Sequence, residues 1–166
     1  MMGPEGFSRL VDEQSAALLL YARQWCGAPE DVVQEAFLKL AGQVKTPDYP
    51  VAWLYRVVRN GAISAARSAQ RRRRHEEAAA GRTPAWFIPS EAGQLDGEIA
   101  SAALAKLPLE QREIIVAHLW GGLTFEQIAL LIGSSSSTAH RRYLEGLTAL
   151  RERLEKPCPT QPPIRS

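Results

Sequence analysis

Residues 121–143, GGLTFEQIALLIGSSSSTAHRRY, contain the pattern that decides the fold of the second half of the chain. Thr124 is a preferred helix N-cap residue, and Gln127 lies three positions later, where its side chain can complete a capping box. The apolar residues after this cap recur at helical spacing and share one face: Ile128, Ala129, Leu131 and Ile132. The first part of the stretch therefore predicts a short amphipathic helix just after Thr124.

A tight turn and a second helix are expected to follow. Gly133 can adopt the left-handed backbone conformation that ends a helix, and Ser134 or Ser135 can cap the next one. Basic residues stand near the start of that second helix: His140, Arg141 and Arg142. This layout is typical of the helix-turn-helix, whose second helix enters the major groove of DNA by its N-terminal end. The alternative is an ordinary helical hairpin in a core, but the turn, the caps and the basic residues together favour the helix-turn-helix.

The composition sets limits on the class of protein. The chain has 166 residues, enough for one domain or two small ones, and 45% of them are hydrophobic. The formal net charge is only +2, so nucleic-acid binding must come from local basic patches. Cys26 and Cys158 lie far apart, and Cys158 is in a proline-rich tail, so we expect reduced thiols. The N-terminus has no signal pattern and no apolar run approaches the ~18–20 residues of a membrane span, which predicts a cytoplasmic protein without membrane insertion.

Helical spacing of apolar residues runs through most of the chain, without sustained period-two alternation. The expected helices cover about residues 5–26, 29–41, 51–74, 98–107 and 108–119, followed by the helix-turn-helix up to residue 155. The sequence predicts an all-α fold of two small helical domains joined by a flexible linker, the C-terminal domain being the helix-turn-helix. The expected parts are an N-terminal domain at 5–74, a linker at 75–97, a C-terminal domain at 98–155 and a disordered tail at 156–166.

The predicted linker contains three consecutive apolar residues, Trp86, Phe87 and Ile88. These side chains are more apolar than a flexible linker without contacts requires. Docking on another surface and covering one of the chain's own domains remain equal alternatives for them.

The third predicted helix is strongly basic. No acidic residue occurs between Asp48 and Glu76, whereas seven arginines do: Arg56, Arg59, Arg67, Arg71, Arg72, Arg73 and Arg74. Several of these recur near multiples of 3.6 residues and so share one helix face, which can follow a phosphate backbone. Trp53 and Tyr55 stand at the start of this helix, where aromatic rings could stack on unpaired bases. The alternative for Trp53 is a place in the hydrophobic core.

Three motifs in this order resemble the extracytoplasmic-function group of bacterial sigma factors, the smallest promoter-recognition subunits of RNA polymerase. The likeness covers about residues 7–74 and 98–155. Residues 31–37, DVVQEAF, are similar to the acidic helix that binds the clamp helices of the polymerase. Residues 53–60, WLYRVVRN, with the basic helix resemble the element that holds the melted minus-ten strand. Leu107-Pro108 and Arg112-Glu113 before the helix-turn-helix resemble the domain that reads the minus-thirty-five element.

The resemblance implies three sets of binding residues. The set expected to bind core RNA polymerase is Asp31, Gln34, Glu35 and Leu38. The set expected at the minus-ten element is Trp53, Tyr55, Arg56, Arg59, Asn60, Arg67 and Arg71, with the 42–53 loop capturing a flipped base. The set expected at the minus-thirty-five element is Ser136, Ser137, Thr138, His140, Arg141 and Arg142. Promoter DNA and core RNA polymerase are the implied partners, an anti-sigma factor is a common further partner in the family, and neither a cofactor nor a small-molecule substrate is expected.

Several positions depart from the family pattern. Ser64 replaces an aspartate usual four residues after Asn60, and Ser134 replaces an aliphatic residue in the turn. The start of the recognition helix, residues 137–142, also differs, and Glu145 stands where an arginine is common. We therefore expect an altered target sequence, with DNA binding retained.

Simple energetics require a partner for promoter melting. Opening about a dozen base pairs costs roughly 15 kcal/mol at about 1.4 kcal/mol per stacking step. Stacking one or two captured bases returns only about 2–6 kcal/mol. The polymerase must therefore supply the remaining contacts.

Three other classes of protein fit the sequence less well. An enzyme is disfavoured because His75, His118 and His140 lack metal-ligand spacing, and no phosphate-binding glycine loop or nucleophile elbow occurs. A stand-alone helix-turn-helix regulator explains residues 107–155 but leaves the acidic and basic helices unexplained. A protein-interaction module that has lost DNA binding is suggested only by Glu145.

Overall fold

The computed structural model describes residues 3–76 and 102–155, and the regular structure in these two ranges is entirely helical. The first range contains α1 (Pro4–Ala22), α2 (Pro29–Ala41) and α3 (Pro50–Glu76). The second contains a helical turn at 102–105, then α4 (Leu109–Leu119), α5 (Phe125–Ile132) and α6 (Ser136–Glu155). The all-α prediction is confirmed. The predictions for the 156–166 tail, for Trp86, Phe87 and Ile88, and for most of the 75–97 linker lie outside the described residues.

Helices α1, α2 and α3 pack together around one apolar core. Proline stands at the first turn of α1 and of α2, where its missing N–H costs nothing. Leu18, Leu54 and Val58 are fully buried at the centre, and Phe7 meets Phe37 edge to face at 6.2 Å between ring centroids. Helix α1 ends at Ala22, four residues before the predicted end, because residues 23–25 form a turn.

The helix-turn-helix forms with the local contacts that the sequence predicts. The Gln127 N–H donates to Thr124 Oγ1 (3.3 Å), and the Thr124 N–H donates to Gln127 Oε1 (3.0 Å), which completes the capping box. Gly133 ends α5 in the left-handed conformation, at φ +68°. The Thr138 N–H donates to Ser135 Oγ (3.2 Å), so Ser135 is the N-cap of α6. Gly146 lets α6 approach α4 closely, since an added Cβ would lie 2.8 Å from Ile115 Cδ1.

The two groups of helices touch each other. Helix α4 contacts α1, and α5 contacts α3. Between them lie two buried tyrosines, Tyr21 and Tyr55, whose ring centroids are 4.7 Å apart. The division into two domains at 5–74 and 98–155 stays a prediction, but the described helices of the two ranges form a common interface.

Burial of the two tyrosines predicts a loss of stability at alkaline pH. Burial raises the pKa of Tyr21 well above its usual value, with Glu113 adding to the effect, and burial alone raises the pKa of Tyr55. In the unfolded chain both phenols ionise near pH 10. The two protonated tyrosines therefore make their full contribution to stability below about pH 10. Above that pH the free energy of unfolding should fall by about 1.4 kcal/mol per pH unit for each tyrosine.

Tyr55→Phe provides the check on this alkaline effect. Among the described residues Tyr55 Oη has no hydrogen-bond partner, so the substitution should change stability little at pH 8. Urea unfolding at pH 8 and pH 10.5 should give a smaller alkaline loss for Tyr55→Phe than for the unmodified chain. Equal losses of stability between pH 8 and pH 10.5 in the two proteins would show that Tyr55 does not contribute to the alkaline effect.

Every helix in the described ranges is too short or too polar to cross a lipid bilayer.

Candidate nucleic-acid interface

Helix α2 presents the four residues predicted to bind polymerase on one exposed face. They lie at helical spacing i, i+3, i+4 and i+7: Asp31, Gln34, Glu35 and Leu38. The opposite face is buried against α1 and α3 through Val33, Ala36, Phe37 and Leu40. Glu35 Oε1 lies 3.3 Å from Lys39 Nζ, and the Leu38 side chain is 61% exposed although it is apolar. The structure thus brings these four residues together as a mixed acidic and apolar surface, which we call the α2 face.

Helix α3 carries an open groove of about 470 Å³ along its basic side. Its lining includes four residues predicted at the minus-ten element, together with Ile63 and Ser64: Arg59, Asn60, Arg67 and Arg71. Arg71 Nη2 donates to Ser68 Oγ at 3.0 Å, and Arg56 is exposed on the same helix outside the groove lining. We call this lining the α3 groove. Four cationic or amide side chains in one open channel form a surface suited to a nucleic-acid backbone.

One arginine of the predicted row, Arg59, has an internal partner. Its Nε donates to Glu113 Oε1 on α4 at 2.6 Å, and its guanidinium lies 6.0 Å from the centre of the Trp25 ring. Burial lowers the pKa of Arg59, but the hydrogen bond and negative charge of Glu113 outweigh burial, so the pKa is raised. Arg59 therefore remains a cation whose charge is held by a carboxylate.

The two predicted aromatic residues of α3 have different environments. Trp53 is half-buried and packs against the core, whereas Tyr55 is completely buried against Tyr21. The prediction that Tyr55 contacts DNA is wrong for this conformation. Positions 53 and 55 lie about 200° apart around a helix, so Trp53 and Tyr55 cannot share one face of α3. Tyr55 lies on the buried side of α3, together with Leu54 and Val58.

Sequence reasoning missed an exposed aromatic residue next to this helix. Tyr49 is 69% exposed in the loop before α3, and its carbonyl accepts a hydrogen bond from the Trp53 N–H at 3.0 Å. It lies inside the 42–53 loop to which base capture was assigned. The proline-flanked position of an aromatic residue in a polar loop was the signal that could have identified it.

The outer face of α6 carries the exposed residues of the helix-turn-helix. Ser137, His140 and Arg141 share this face with Leu144, Glu145 and Thr148. His140 also packs edge to face on Phe125 of α5, with 4.9 Å between ring centroids. Ser136 and Thr138 are half-buried, and the hydroxyl of Thr138 is hydrogen-bonded to Ser135 Oγ (2.8 Å) within the cap. The predicted residues are thus brought to one end of α6, but Thr138 is partly committed to capping.

The two arginines of α6 are not equivalent. Arg142 Nη1 lies 3.0 Å from Glu110 Oε2 of α4, and its side chain is 31% exposed. Arg141 is 63% exposed and donates to Glu145 Oε1 of its own helix at 2.6 Å. The sequence left open which arginine reads a base. The structure ties Arg142 back to α4 and leaves Arg141 on the outer face.

Within residues 3–76 and 102–155, no group of three His, Cys, Asp or Glu side chains is arranged to hold a metal ion.

Two family models match the chain in the order of these surfaces. Residues 10–72, which include the α2 face and the α3 groove, match Sigma-70 region 2. Residues 98–150, which include the helix-turn-helix, match Sigma-70, region 4.

Relatives extend the match over most of the chain. It is 33% identical over 157 residues to the ECF RNA polymerase sigma factor SigL of Mycobacterium tuberculosis, covering 89% of this chain and 88% of that protein. It is also 33% identical over 132 residues to the RNA polymerase sigma factor CarQ of Myxococcus xanthus, covering 75% of this chain and 74% of that protein.

Solved structures show the same fold. The sigma factor RpoE of Bartonella quintana, in complex with the anti-sigma factor NepR, superposes with a TM-score of 0.67 at 24% identity, covering 91% of this chain and 97% of that one. CnrH, in complex with the cytosolic domain of CnrY, superposes with a TM-score of 0.57 at 20% identity, covering 94% and 92% of the two chains. The two region matches and the extended relatives place this chain in the extracytoplasmic-function group of the sigma-70 family of RNA polymerase sigma factors.

Proposed function

We propose that this sigma factor works through three separate surfaces: the α2 face docks on core RNA polymerase, the α3 groove holds the melted minus-ten strand, and the outer face of α6 reads the minus-thirty-five element. As a sigma factor, the chain binds core polymerase and directs promoter recognition and transcription initiation. The observation that carries the assignment of surfaces is the match to region 2 and region 4 in order, with an exposed cluster of suitable chemistry in each.

Polymerase docking is assigned to the α2 face because it combines two features of protein interfaces. Leu38 is an exposed apolar side chain that a partner can bury, and Asp31 and Glu35 supply negative charge around it. A few well-buried side chains supply most of the affinity of an interface, while surrounding charges increase the association rate and the specificity. A basic partner surface with an apolar pocket complements this face.

Minus-ten binding is assigned to the α3 groove and the loop before it. Arg67 and Arg71 are exposed cations on one side of α3, and Asn60 lies between them and Arg59. Tyr49 and Trp53 lie one helical turn apart at the start of α3, N-terminal to the groove residues, and their rings are the proposed place to receive a base that leaves the stack. The energy of one or two stacked bases is too small to hold a bubble open, so this step takes place on polymerase.

Substitution of the exposed aromatic residue tests strand capture. Tyr49→Ala should slow open-complex formation about fivefold or more, because loss of one base stack costs about 1–3 kcal/mol. The readout is permanganate reactivity of thymines in the bubble, measured with core polymerase present. Trp53→Ala should act in the same direction, once thermal unfolding has shown that the half-buried site tolerates it.

Val44→Ala is the matched control for strand capture. Val44 is exposed in the same loop and has no ring to stack, so its removal should leave permanganate reactivity unchanged. Normal reactivity in both Tyr49→Ala and Trp53→Ala would reject the assignment of this loop.

We also propose that the chain has no catalytic site of its own and acts in the cytoplasm, where bacterial RNA polymerase works. An anti-sigma factor is a reasonable regulator to test, since RpoE was solved in complex with the anti-sigma factor NepR and CnrH in complex with the cytosolic domain of CnrY.

The alternative function is a stand-alone helix-turn-helix regulator. It accounts for α5 and α6 but gives no role to the α2 face or the α3 groove. Run-off transcription with core polymerase on a genomic library separates the two functions. New, discrete transcripts that require the chain are expected. Transcripts from core polymerase that do not change on adding the chain would support the alternative.

A further inference from the structure

The most buried ionic contact among the described residues joins the two halves of the chain. The Glu113 side chain of α4 is only 5% exposed, and its Oε1 accepts hydrogen bonds from Tyr21 Oη (2.6 Å) and Arg59 Nε (2.6 Å). Tyr21 belongs to α1 and Arg59 to α3, so a single carboxylate of region 4 is held by two helices of region 2. We call this contact the Glu113 site.

Aromatic side chains surround the Glu113 site and fit the incoming helices closely. Tyr21 packs on Trp25 with 4.8 Å between ring centroids and on Tyr55 with 4.7 Å. Gly121, at the end of α4, lies directly over Tyr55, since a Cβ added there would be 2.5 Å from Tyr55 Oη. The fit at these rings leaves no space for even one methyl group on that side.

Charge and hydrogen bonding make this contact specific. A carboxylate buried to this degree requires a cation and hydrogen-bond donors, because an unpaired buried charge is strongly destabilising. Arg59 and Tyr21 supply both requirements. A guanidinium that donates to a carboxylate also has the chemistry that recognises a phosphate, so Glu113 occupies Arg59 in the way that a DNA backbone oxygen would.

We infer that the surface formed by Tyr21, Trp25 and Arg59 is a docking surface for α4 of the same chain, and that this self-docking competes with the DNA strand for Arg59. The inference rests on the proposed minus-ten role of Arg59. In the self-docked chain Glu113 takes up the Nε–H of Arg59 and neutralises its charge, which weakens the attraction of the guanidinium for a DNA phosphate. Self-docking and tight binding of DNA at Arg59 therefore oppose each other, and any ligand that prefers the docked or the undocked chain shifts the balance between the two.

Glu113→Gln is the variant that tests self-docking. It keeps the size of the side chain and an acceptor for Tyr21, but it removes the charge that holds Arg59. In the full chain, small-angle X-ray scattering should show a larger radius of gyration than in the unmodified protein. Affinity for a labelled 20-nucleotide single-stranded DNA of mixed sequence should increase about fivefold or more as Arg59 becomes available. Glu13→Gln, at an exposed position of α1, is the charge-matched control and should change neither quantity.

Two further variants separate self-docking from the proposed role of Arg59. Tyr21→Phe keeps the ring packing and removes one hydrogen bond, so it should expand the chain in the same direction even if Glu113→Gln folds poorly. Adding Arg59→Ala to Glu113→Gln should cancel the gain in DNA affinity while the chain remains expanded.

The outcomes distinguish the two ideas. An unchanged radius of gyration in both Glu113→Gln and Tyr21→Phe would overturn self-docking. Expansion of the chain without a gain in DNA affinity would overturn the competition for Arg59. The proposed minus-ten role of Arg59 is tested separately: it would fail if Arg59→Ala left open-complex formation on polymerase unchanged. Expansion with a gain that depends on Arg59 supports the whole inference.

Discussion

Leu38→Asp should reduce the amount of chain that co-purifies with core RNA polymerase about tenfold or more. The Leu38 side chain is the apolar member of the α2 face and is 61% exposed, and burying a leucine on a partner contributes about 1.5–3 kcal/mol. An aspartate at this position loses that contribution and places an additional charge in the contact. Because the side chain is exposed in the free protein, the fold should tolerate the change.

A matched leucine and a pair of charge variants control this experiment. Leu154→Asp makes the same substitution at an exposed position of α6 and should leave co-purification unchanged. Asp31→Ala combined with Glu35→Ala should weaken association less than Leu38→Asp, and mainly at low salt, because charges at an interface rim act on the association rate. Unchanged yields for Leu38→Asp would remove the α2 face from the docking site.

The second large effect is expected at the recognition helix. Arg141→Ala should reduce promoter-specific transcription about 5- to 150-fold, since a bidentate arginine–guanine contact discriminates by about 1–3 kcal/mol. Binding to non-specific duplex DNA should change less, because without the guanine contact Arg141 is only one of several cations near the phosphates, and its removal should reduce the magnitude of the log–log salt slope by at most about 0.9. Both quantities can be measured on the same purified variant, by run-off transcription and by fluorescence anisotropy.

Arg151→Ala is the control for the recognition helix. Arg151 is an exposed arginine of α6 beyond the helix-turn-helix, so its removal should affect both assays slightly and equally. If Arg141→Ala also reduced both assays equally, Arg141 would contribute charge without sequence reading.

Glu145 does not block the recognition face. Its carboxylate pairs with Arg141 one helical turn earlier, in an exposed contact worth at most about 1 kcal/mol. A DNA base can therefore compete for Arg141. The suggestion that Glu145 marks a lost DNA-binding function finds no support in this geometry, and an altered target sequence stays a prediction.

The parts of the fold that depend on local chemistry could be predicted from the sequence. The bounds of α2, the capping box of Thr124 and Gln127, the left-handed Gly133 and the cap at Ser135 each depend on residues within one or two turns. The four residues of the α2 face also follow from helical spacing alone. In each case the deciding contacts lie close in sequence, so the pattern contains them.

The contacts between distant segments could not be predicted in this way. Arg59 was placed on a DNA-facing row by periodicity, but its partner Glu113 is 54 residues away. Tyr55 lies only two residues after Trp53 in the sequence, but packing against the other helices determines which side of α3 is buried. Arg141 and Arg142 are equivalent in the sequence pattern, and only the contact of Arg142 with Glu110 of α4 distinguishes them. These features depend on how helices pack, which no local pattern records.

The central claim is that this chain binds promoter DNA stably only together with polymerase. Retention of a labelled promoter fragment tests this claim most directly. The fragment, chosen from the run-off transcripts, is challenged with heparin after incubation with the chain alone, core polymerase alone, or both. A heparin-resistant complex is expected only when both proteins are present, and it should be lost with Leu38→Asp. Equal retention of the fragment by the chain alone would contradict the account and identify a stand-alone regulator.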